Sequence, residues 1–462
     1  MRETPEPGAW GLERRDGRLW LDGCYLPALA AEHGTPLHVV SARTLRERVR
    51  AFRAAFAAYP GAVRVCFSYK TNRLLGVLRV LHDAGCGAEV VDELELRLAR
   101  MLGVLPADTV LNGPCKTDGE LALAVAFGTG LVVVDGLGEI ARLARQAETA
   151  GARVPVPVAL RVCPGVRPRG MNVSSATGTR RAQFGFDRRS GELRAAIRAA
   201  LAEPALELRG VMAHIGSGLH DLRAVARGIE RLLDVQQQVA AAGAPANVLD
   251  VGGGLGARLS RELTTVEMLR YLAVGRLPAR WRAAPADLVQ RYATTVVEAV
   301  VAGCARRGLA IPALVLEPGR TLVSDAQLLL LRVGAVRERP RIGRFALTDG
   351  GAMTVSMMFL SEQHALLLAN RDAPVAGRTS VFGRLTSPMD VVYRGAALPR
   401  LEAGDLLAVM DAGAYFTATE TCFGGARPAV MLIDDAAPRL IRRRETLADR
   451  MALEVNGNAA PR

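Results

Sequence analysis

Val63-Arg-Val-Cys-Phe-Ser-Tyr-Lys70-Thr-Asn72, a helical run from Leu74 to Ala84 and the apolar segment Gly87 to Asp92 read together as strand, helix, strand. Short apolar runs that alternate with 3.6-residue periodicity are the repeating unit of a parallel α/β sheet. Outward from this unit the pattern recurs. Further strands are expected at Thr109 to Gly113, Leu131 to Asp135, Val156 to Val162, Leu208 to Ile215, Asn247 to Gly254 and Ala313 to Gly319, with helical stretches such as Leu137 to Ala150 between them. With Val63 to Lys70 and Gly87 to Asp92 this makes eight strands, whose simplest closure is a (β/α)8 barrel.

Beyond about Arg320 the texture changes. Short strand-like segments (Gln327 to Val336, Arg344 to Thr348, Asp390 to Tyr393, Asp405 to Met410, Ala429 to Ile433) follow one another without a long helical pattern. They predict a separate β domain, a sandwich or barrel. The boundaries expected are 37–322 for the barrel, 1–36 with 323–455 for the β domain, and a disordered tail at 456–462. Two insertions interrupt the barrel, Pro164 to Phe186 and Ala257 to Tyr292, the latter carrying Arg276, Arg280, Trp281 and Arg282. Each reads equally as a lid or as a solvated loop.

The bulk numbers exclude several classes. A chain of 462 residues with 50% hydrophobic and 23% charged residues is an ordinary globular composition. No apolar stretch is long enough to span a bilayer and Met1 to Gly8 lacks a secretory pattern, so a cytoplasmic protein without membrane association is expected. Seven cysteines without a Cys-x-x-Cys pair argue against a disulfide framework and against a metal site. The net charge of +13 is spread over scattered arginines with few aromatics between them. That favours an anionic cofactor or carboxylate substrate over nucleic acid.

Of 59 basic side chains only Lys70 and Lys116 are lysine. Guanidinium replaces ammonium in most surface roles, but it cannot condense with an aldehyde. Lys70, at a strand end, is the amine expected to react, and Lys116 is read as a surface residue. In a barrel the site is built at the C-terminal strand ends. Glu89, His214-Ile-Gly-Ser217, Gly252-Gly253-Gly254-Leu-Gly256 and Glu317-Pro-Gly319-Arg320 all fall there. A glycine run, a hydroxyl and a guanidinium describe a phosphate site. With an amine, a carboxylate and a flat imidazole beside it, the set matches what pyridoxal 5′-phosphate requires.

Phe67-Ser-Tyr-Lys70-Thr-Asn72, His214-Ile-Gly-Ser217, Gly252-Gly-Gly254, Glu317-Pro-Gly-Arg320 and Asp411-Ala-Gly-Ala-Tyr415 occur in an order that resembles the fold-type III pyridoxal-phosphate decarboxylases, the group of diaminopimelate and ornithine decarboxylases. The resemblance runs from about Gly34-Thr-Pro36 to Arg427-Pro428. It implies an alanine-racemase-like barrel with a C-terminal β domain, and a homodimer whose active sites are shared. It implies Lys70 as the Schiff-base lysine, His214 as the ring-stacking imidazole and Glu317 as the carboxylate at the pyridine nitrogen. Ser217, Gly252, Gly253, Gly254, Gly319, Arg320 and Tyr415 then match cofactor ligands. An acidic residue at the pyridine position distinguishes the decarboxylases from alanine racemases.

Two departures stand out. The family's C-terminal cysteine is replaced by Thr386, in Gly383-Arg-Leu-Thr386-Ser387-Pro-Met-Asp390. A threonine hydroxyl is a far poorer proton donor than a thiol, so either water, Lys70 or another group protonates, or Thr386 only packs. The acidic residue expected next is Ser387, and the segment that holds a distal carboxylate in diaminopimelate decarboxylases, here Asp349-Gly-Gly-Ala-Met353 to Phe359, has no arginine. Asp349 is a candidate for a distal amine, Asp390 either a substrate or a structural residue, and Tyr415 a further pocket residue. Arg180 and Arg181 read either as carboxylate ligands or as solvated. The expected reaction is decarboxylation of a basic amino acid or a specialised amino-acid-derived intermediate, with an amine and CO2 as products. Alternatives are a racemase, a decarboxylation-dependent oxidase or transaminase, and an inactive regulatory homologue.

Overall fold

Eight parallel strands close on themselves in the computed structural model, which describes residues 6–172, 175–275 and 283–455. They are β1 (Val63–Ser68), β2 (Gly87–Val90), β3 (Thr109–Leu111), β4 (Leu131–Val134), β5 (Val156–Cys163), β6 (Leu206–Met212), β7 (Val248–Asp250) and β8 (Ala313–Leu316). Each pairs in parallel with the next, and β8 returns to β1 through Leu314↔Val63 to Leu316↔Val65. Small and branched side chains pack together in this unit, among them Cys66, Val110, Leu131, Ala159, Met212 and Val315. The strands are apolar on both faces because helices cover the outer one. Helix Leu75–Asp83, for example, buries Val77, Leu78, Val80 and Leu81, two adjacent pairs one turn apart.

After β2, β3 and β6 a side-chain cap fixes where the chain enters the next helix. Asp92 accepts from Glu95 N–H at 2.8 Å, Thr117 and Glu120 form a reciprocal capping box, and Asp221 accepts from Ala224 N–H at 3.1 Å. Each is worth about 1 kcal/mol and pins a loop at the C-terminal end of the barrel.

The described chain divides into two units. One comprises Leu45–Arg258 with Ala283–Leu322 and holds the barrel; the other comprises Met1–Thr44, Leu259–Arg282 and Val323–Arg462. The boundary expected at residue 37 moves to 45, because Leu37–Ser41 is a β-sheet strand: it runs antiparallel to Gln327–Arg339 and parallel to Ala429–Asp434. That sheet continues through Gly343–Thr348, Gly377–Phe382 and Val391–Leu398 on one side and Ala437–Arg442 on the other. Alternation along Gln327–Arg339 serves two cores. Leu328 and Leu330 pack with Trp10, Leu19 and Leu26, while Leu329, Leu331 and Val333 pack with Phe359, Tyr393 and Phe416.

The second insertion is also reassigned in part. Arg261–Glu262 pairs with Glu362–Gln363 in the β unit, Thr265–Val274 is a capped helix, and Tyr292 sits in the barrel helix Leu288–Arg307. Arg276, Arg280, Trp281 and Arg282, and the expected tail, lie outside the described residues. Among the described residues no helix is long and apolar enough to cross a membrane, and no three His, Cys, Asp or Glu side chains cluster as metal ligands.

Lys116 is not a surface residue. It is 2% exposed, and its ammonium donates to Gly113 O at 2.8 Å, Val133 O at 2.6 Å and Glu139 Oε1 at 2.7 Å. The lysine thus satisfies two backbone carbonyls, that of Gly113 just past β3 and that of Val133 within β4.

Candidate active site

Strand β1 ends at Ser68, two residues earlier than expected, and Lys70 lies in the tight turn Tyr69–Thr71 that follows. Ser68 N–H donates to Pro318 O at 3.1 Å, which ties this turn to the loop after β8. Tyr69 is fully buried and its hydroxyl meets His82 Nε2 at 2.6 Å, while His82 Nδ1 meets Cys86 O at 2.8 Å. Since a carbonyl only accepts, the proton of His82 is on Nδ1 and Tyr69 is the donor. Lys70 itself donates to both carboxylate oxygens of Glu89, at 3.2 and 3.0 Å. The Glu89 side chain is wholly buried and that of Lys70 is 42% exposed, so the pair anchors the amine at an opening.

His214 follows β6. Gly253 N–H donates to its Nδ1 at 3.3 Å, so a neutral ring carries its proton on Nε2. Burial, with Lys70 and Arg161 adding positive charge nearby, pushes the imidazole down to about 3. It is neutral at physiological pH.

Arg320 Nε donates to Ser217 Oγ at 3.0 Å, although 103 residues separate them. Beside them the glycine run after β7 leaves no room for side chains. A Cβ on Gly253 would stand 1.8 Å from Glu317 O, and one on Gly254, where φ is +93°, 1.8 Å from Gly216 O. Gly252 N–H and Gly253 N–H are taken by Asp250 and His214, so the Ser217 hydroxyl, the Arg320 guanidinium and the tightly turned backbone at Gly254 are what give this corner the character of a phosphate cradle.

Glu317 is 3% exposed and accepts from Asn112 Nδ2 at 3.0 Å. Its carboxyl is pushed well up, first by burial and then by Asp250 and Glu89, against the opposing charge of Lys70. Asp250, fully buried, is raised by burial too and accepts from Gly252 N–H at 2.8 Å. Amine, neutral imidazole, phosphate cradle and proton-holding carboxyl therefore fit pyridoxal phosphate, and all stand on the barrel unit.

The remaining expected residues belong to the β unit. Tyr415 is partly buried with φ +64°, and its carbonyl accepts from Thr419 N–H at 3.0 Å. Thr386 is exposed and Ser387 partly so, with Ser387 Oγ accepting from Met389 N–H at 3.3 Å. Asp349 accepts from Arg332 N–H at 2.9 Å. Of the two readings left open for Asp390, its contacts favour the structural one. It is 1% exposed, and its two oxygens accept from Met353 N–H and Leu385 N–H, each at 3.0 Å. Arg180 is committed to Asp187, with Nε at 2.8 Å from Oδ2.

Asn112, Arg161 and Asp250 escaped the sequence reading. Two of them had a signal, a lone charge inside an apolar strand: Arg161 in Val-Ala-Leu-Arg-Val and Asp250 in Val-Leu-Asp-Val.

A family model for the pyridoxal-dependent decarboxylases, pyridoxal binding domain, matches residues 42–324. Diaminopimelate decarboxylase of Actinosynnema pretiosum subsp. auranticum is 33% identical over 97% of this chain and 96% of its own. That of Methanocaldococcus jannaschii is 28% identical, covering 96% of each chain. The crystal structure of the latter in complex with L-lysine superposes with a TM-score of 0.84, over 96% of this chain and 98% of that one. The chain belongs to the pyridoxal-dependent decarboxylases and is a pyridoxal-phosphate-dependent amino-acid carboxy-lyase.

Proposed function

We propose that the barrel end decarboxylates an α-amino acid, with Lys70 as the amine that holds the cofactor aldehyde. His214 lies against the ring, Glu317 faces its nitrogen, and Ser217, the 252–254 glycines, Gly319 and Arg320 receive the phosphate, with Tyr415 as a further ligand. One observation supports this most: a carboxylate-held amine, a neutral imidazole, a hydroxyl–guanidinium pair and a buried carboxyl converge on one barrel end.

Pyridoxal phosphate supplies the electron sink for the pair released when the C–CO2 bond breaks. The protein's groups do the rest. Glu89 holds the Lys70 amine in place, and the amine condenses through its lone pair once the ammonium proton has left. His214 stays neutral, so it adds no cation that would compete with the ring nitrogen for protonation. Burial and its acidic neighbours keep a proton on the Glu317 carboxyl, so Glu317 would be the group that shares a proton with the cofactor's ring nitrogen. With Thr386 in place of a thiol, water, Lys70 or another group would supply the proton that replaces the lost carboxylate.

The relatives are named for diaminopimelate. Here residues 349–359 hold no arginine and Ser387 stands where an acid would read a distal amine, each such charged contact being worth about 1.5 to 3 kcal/mol. We infer a substrate without diaminopimelate's distal amino-carboxylate end, with Asp349 as the acidic group available to a distal amine. The enzyme acts in the cytoplasm as a homodimer with shared sites. CO2 release from L- and D-lysine, ornithine, arginine and the diaminopimelate stereoisomers tests this. Preferred turnover of meso-diaminopimelate overturns the substrate inference; no CO2 from any of them, with cofactor bound, points to a larger intermediate; keto or aldehyde products would replace simple decarboxylation.

A further inference from the structure

Glu317 does not reach its place alone. Asn112, just past β3 and 3% exposed, accepts from Gly113 N–H at 3.0 Å and from Arg161 Nη1 at 3.4 Å through the same oxygen, Oδ1. Both neighbours are obligate donors, because a backbone N–H and a guanidinium have no acceptor to offer. The amide is therefore locked in one orientation, and its NH2 end is the end that meets Glu317 Oε1 at 3.0 Å.

The lock has its own support. Arg161 emerges from β5, is 7% exposed, lies 3.5 Å from Asp135 Oδ2 and stacks its guanidinium 4.4 Å from the centre of the Phe184 ring. Asp135 accepts in turn from Gly185 N–H at 2.8 Å. A buried ion pair thus fixes the amide without contacting Glu317.

The charges around Glu317 explain why a donor is needed there. Asp250 and Glu89 raise its proton affinity, Lys70 lowers it, and Arg161 adds positive charge in the same barrel end. A neutral amide that can only donate stabilises the carboxylate form and holds its rotamer, without adding a cation that would repel a pyridinium.

We propose that Asn112, locked by Gly113 and Arg161, is a positioning residue that aims Glu317 at the cofactor nitrogen and holds it as a carboxylate once its proton has been passed on. This rests on the assignment of Glu317 above. Asn112→Asp is the sharpest test, because it keeps shape and volume while turning the donor that faces Glu317 into an acceptor. Holoenzyme is prepared with 15N-ring-labelled pyridoxal phosphate, and the nitrogen shift, kcat and KM are read for wild type, N112D, N112A, E317Q and N112A/E317Q. Expected are a ring nitrogen that loses proton occupancy in N112D, a kcat about 100-fold lower at nearly constant KM, and a smaller loss in N112A. In the double variant, N112A adds less than about threefold to E317Q, because the two act as one unit. Wild-type nitrogen shift and kcat in folded N112D, or losses that multiply in the double variant, overturn the proposal. If E317Q itself leaves the nitrogen and kcat unchanged, the Glu317 assignment fails instead.

Discussion

The barrel end and the loop at residues 383–390 of the β unit carry residues chosen by the same reasoning, yet they are built differently. At the barrel end every charged group is held by another: Lys70 by Glu89, Glu317 by Asn112, Arg161 by Asp135, Arg320 by Ser217. On the loop, Thr386 is exposed and Ser387 meets its near neighbours Met389 and Asp390, while Asp390 is buried and spends both oxygens on backbone. Strand ends in a closed sheet have few ways to move, and paired buried groups lose heavily if one partner changes. An exposed loop tip tolerates change. The groups proposed for the cofactor therefore sit where substitution is costly, and Thr386 and Ser387 sit where it is cheap.

The largest effect expected is at Lys70. Lys70→Arg keeps a cation beside Glu89 but cannot condense with an aldehyde, so CO2 release falls by about 10⁴-fold or more and the Schiff-base absorbance is absent. If K70R retains that absorbance, the barrel end is not the cofactor site.

Asp390→Ala leaves two partly buried N–H groups without their carboxylate and costs about 2 kcal/mol, read as a lower denaturation midpoint. The neighbouring Thr386→Ala changes stability by less than about 0.5 kcal/mol. Equal losses at the two positions would erase the contrast within the loop itself.

Two buried groups, one in each unit, respond to pH with opposite sign. His38, buried in the β unit, is pushed down to about 3 by burial and by Arg442, from an ordinary 6.5. The unfolded chain binds this proton first, so stability falls as pH drops from 6.5 towards 3, by up to about 1.4 kcal/mol per pH unit. His38→Gln flattens that limb. Asp250 has the reverse sign, since its carboxyl is raised and the native state keeps a proton that the unfolded chain releases near 3.8. Its contribution is full below that pH and is lost as pH rises above it, so Asp250→Asn makes stability climb more steeply above about pH 4. Urea midpoints across pH 3 to 8 report both slopes.

The smallest effect sharpens the cradle. Ser217→Ala removes one phosphate donor and leaves Arg320 and the glycine run, raising the pyridoxal phosphate dissociation constant about tenfold with KM for substrate little changed. A titration of apoenzyme with the cofactor measures it.

Much of the barrel was legible because parallel strands bury both faces and read as apolar runs; all eight were placed, with ends shifted by one to four residues. Leu37–Ser41 was assigned to the wrong side of the boundary because a fully buried five-residue strand reads alike in a barrel and in a β sheet. Lys116 was misread because nothing local to Pro-Cys-Lys-Thr reveals that the Val133 carbonyl, 17 residues on, needs a donor. Asp390 stayed ambiguous for the same reason: its partners Met353 and Leu385 are fixed by loop packing.

By itself the sequence determined which chemistry was available: one lysine at a strand end, a glycine run, a serine, an arginine and a glutamate, all residue types whose reactivity is intrinsic. Which of those groups are charged, which way they point and what holds them was decided by the tertiary structure alone. Glu317 meets Asn112 across 205 residues and Arg320 meets Ser217 across 103, and proton affinity follows from burial and neighbours that only a closed barrel brings together.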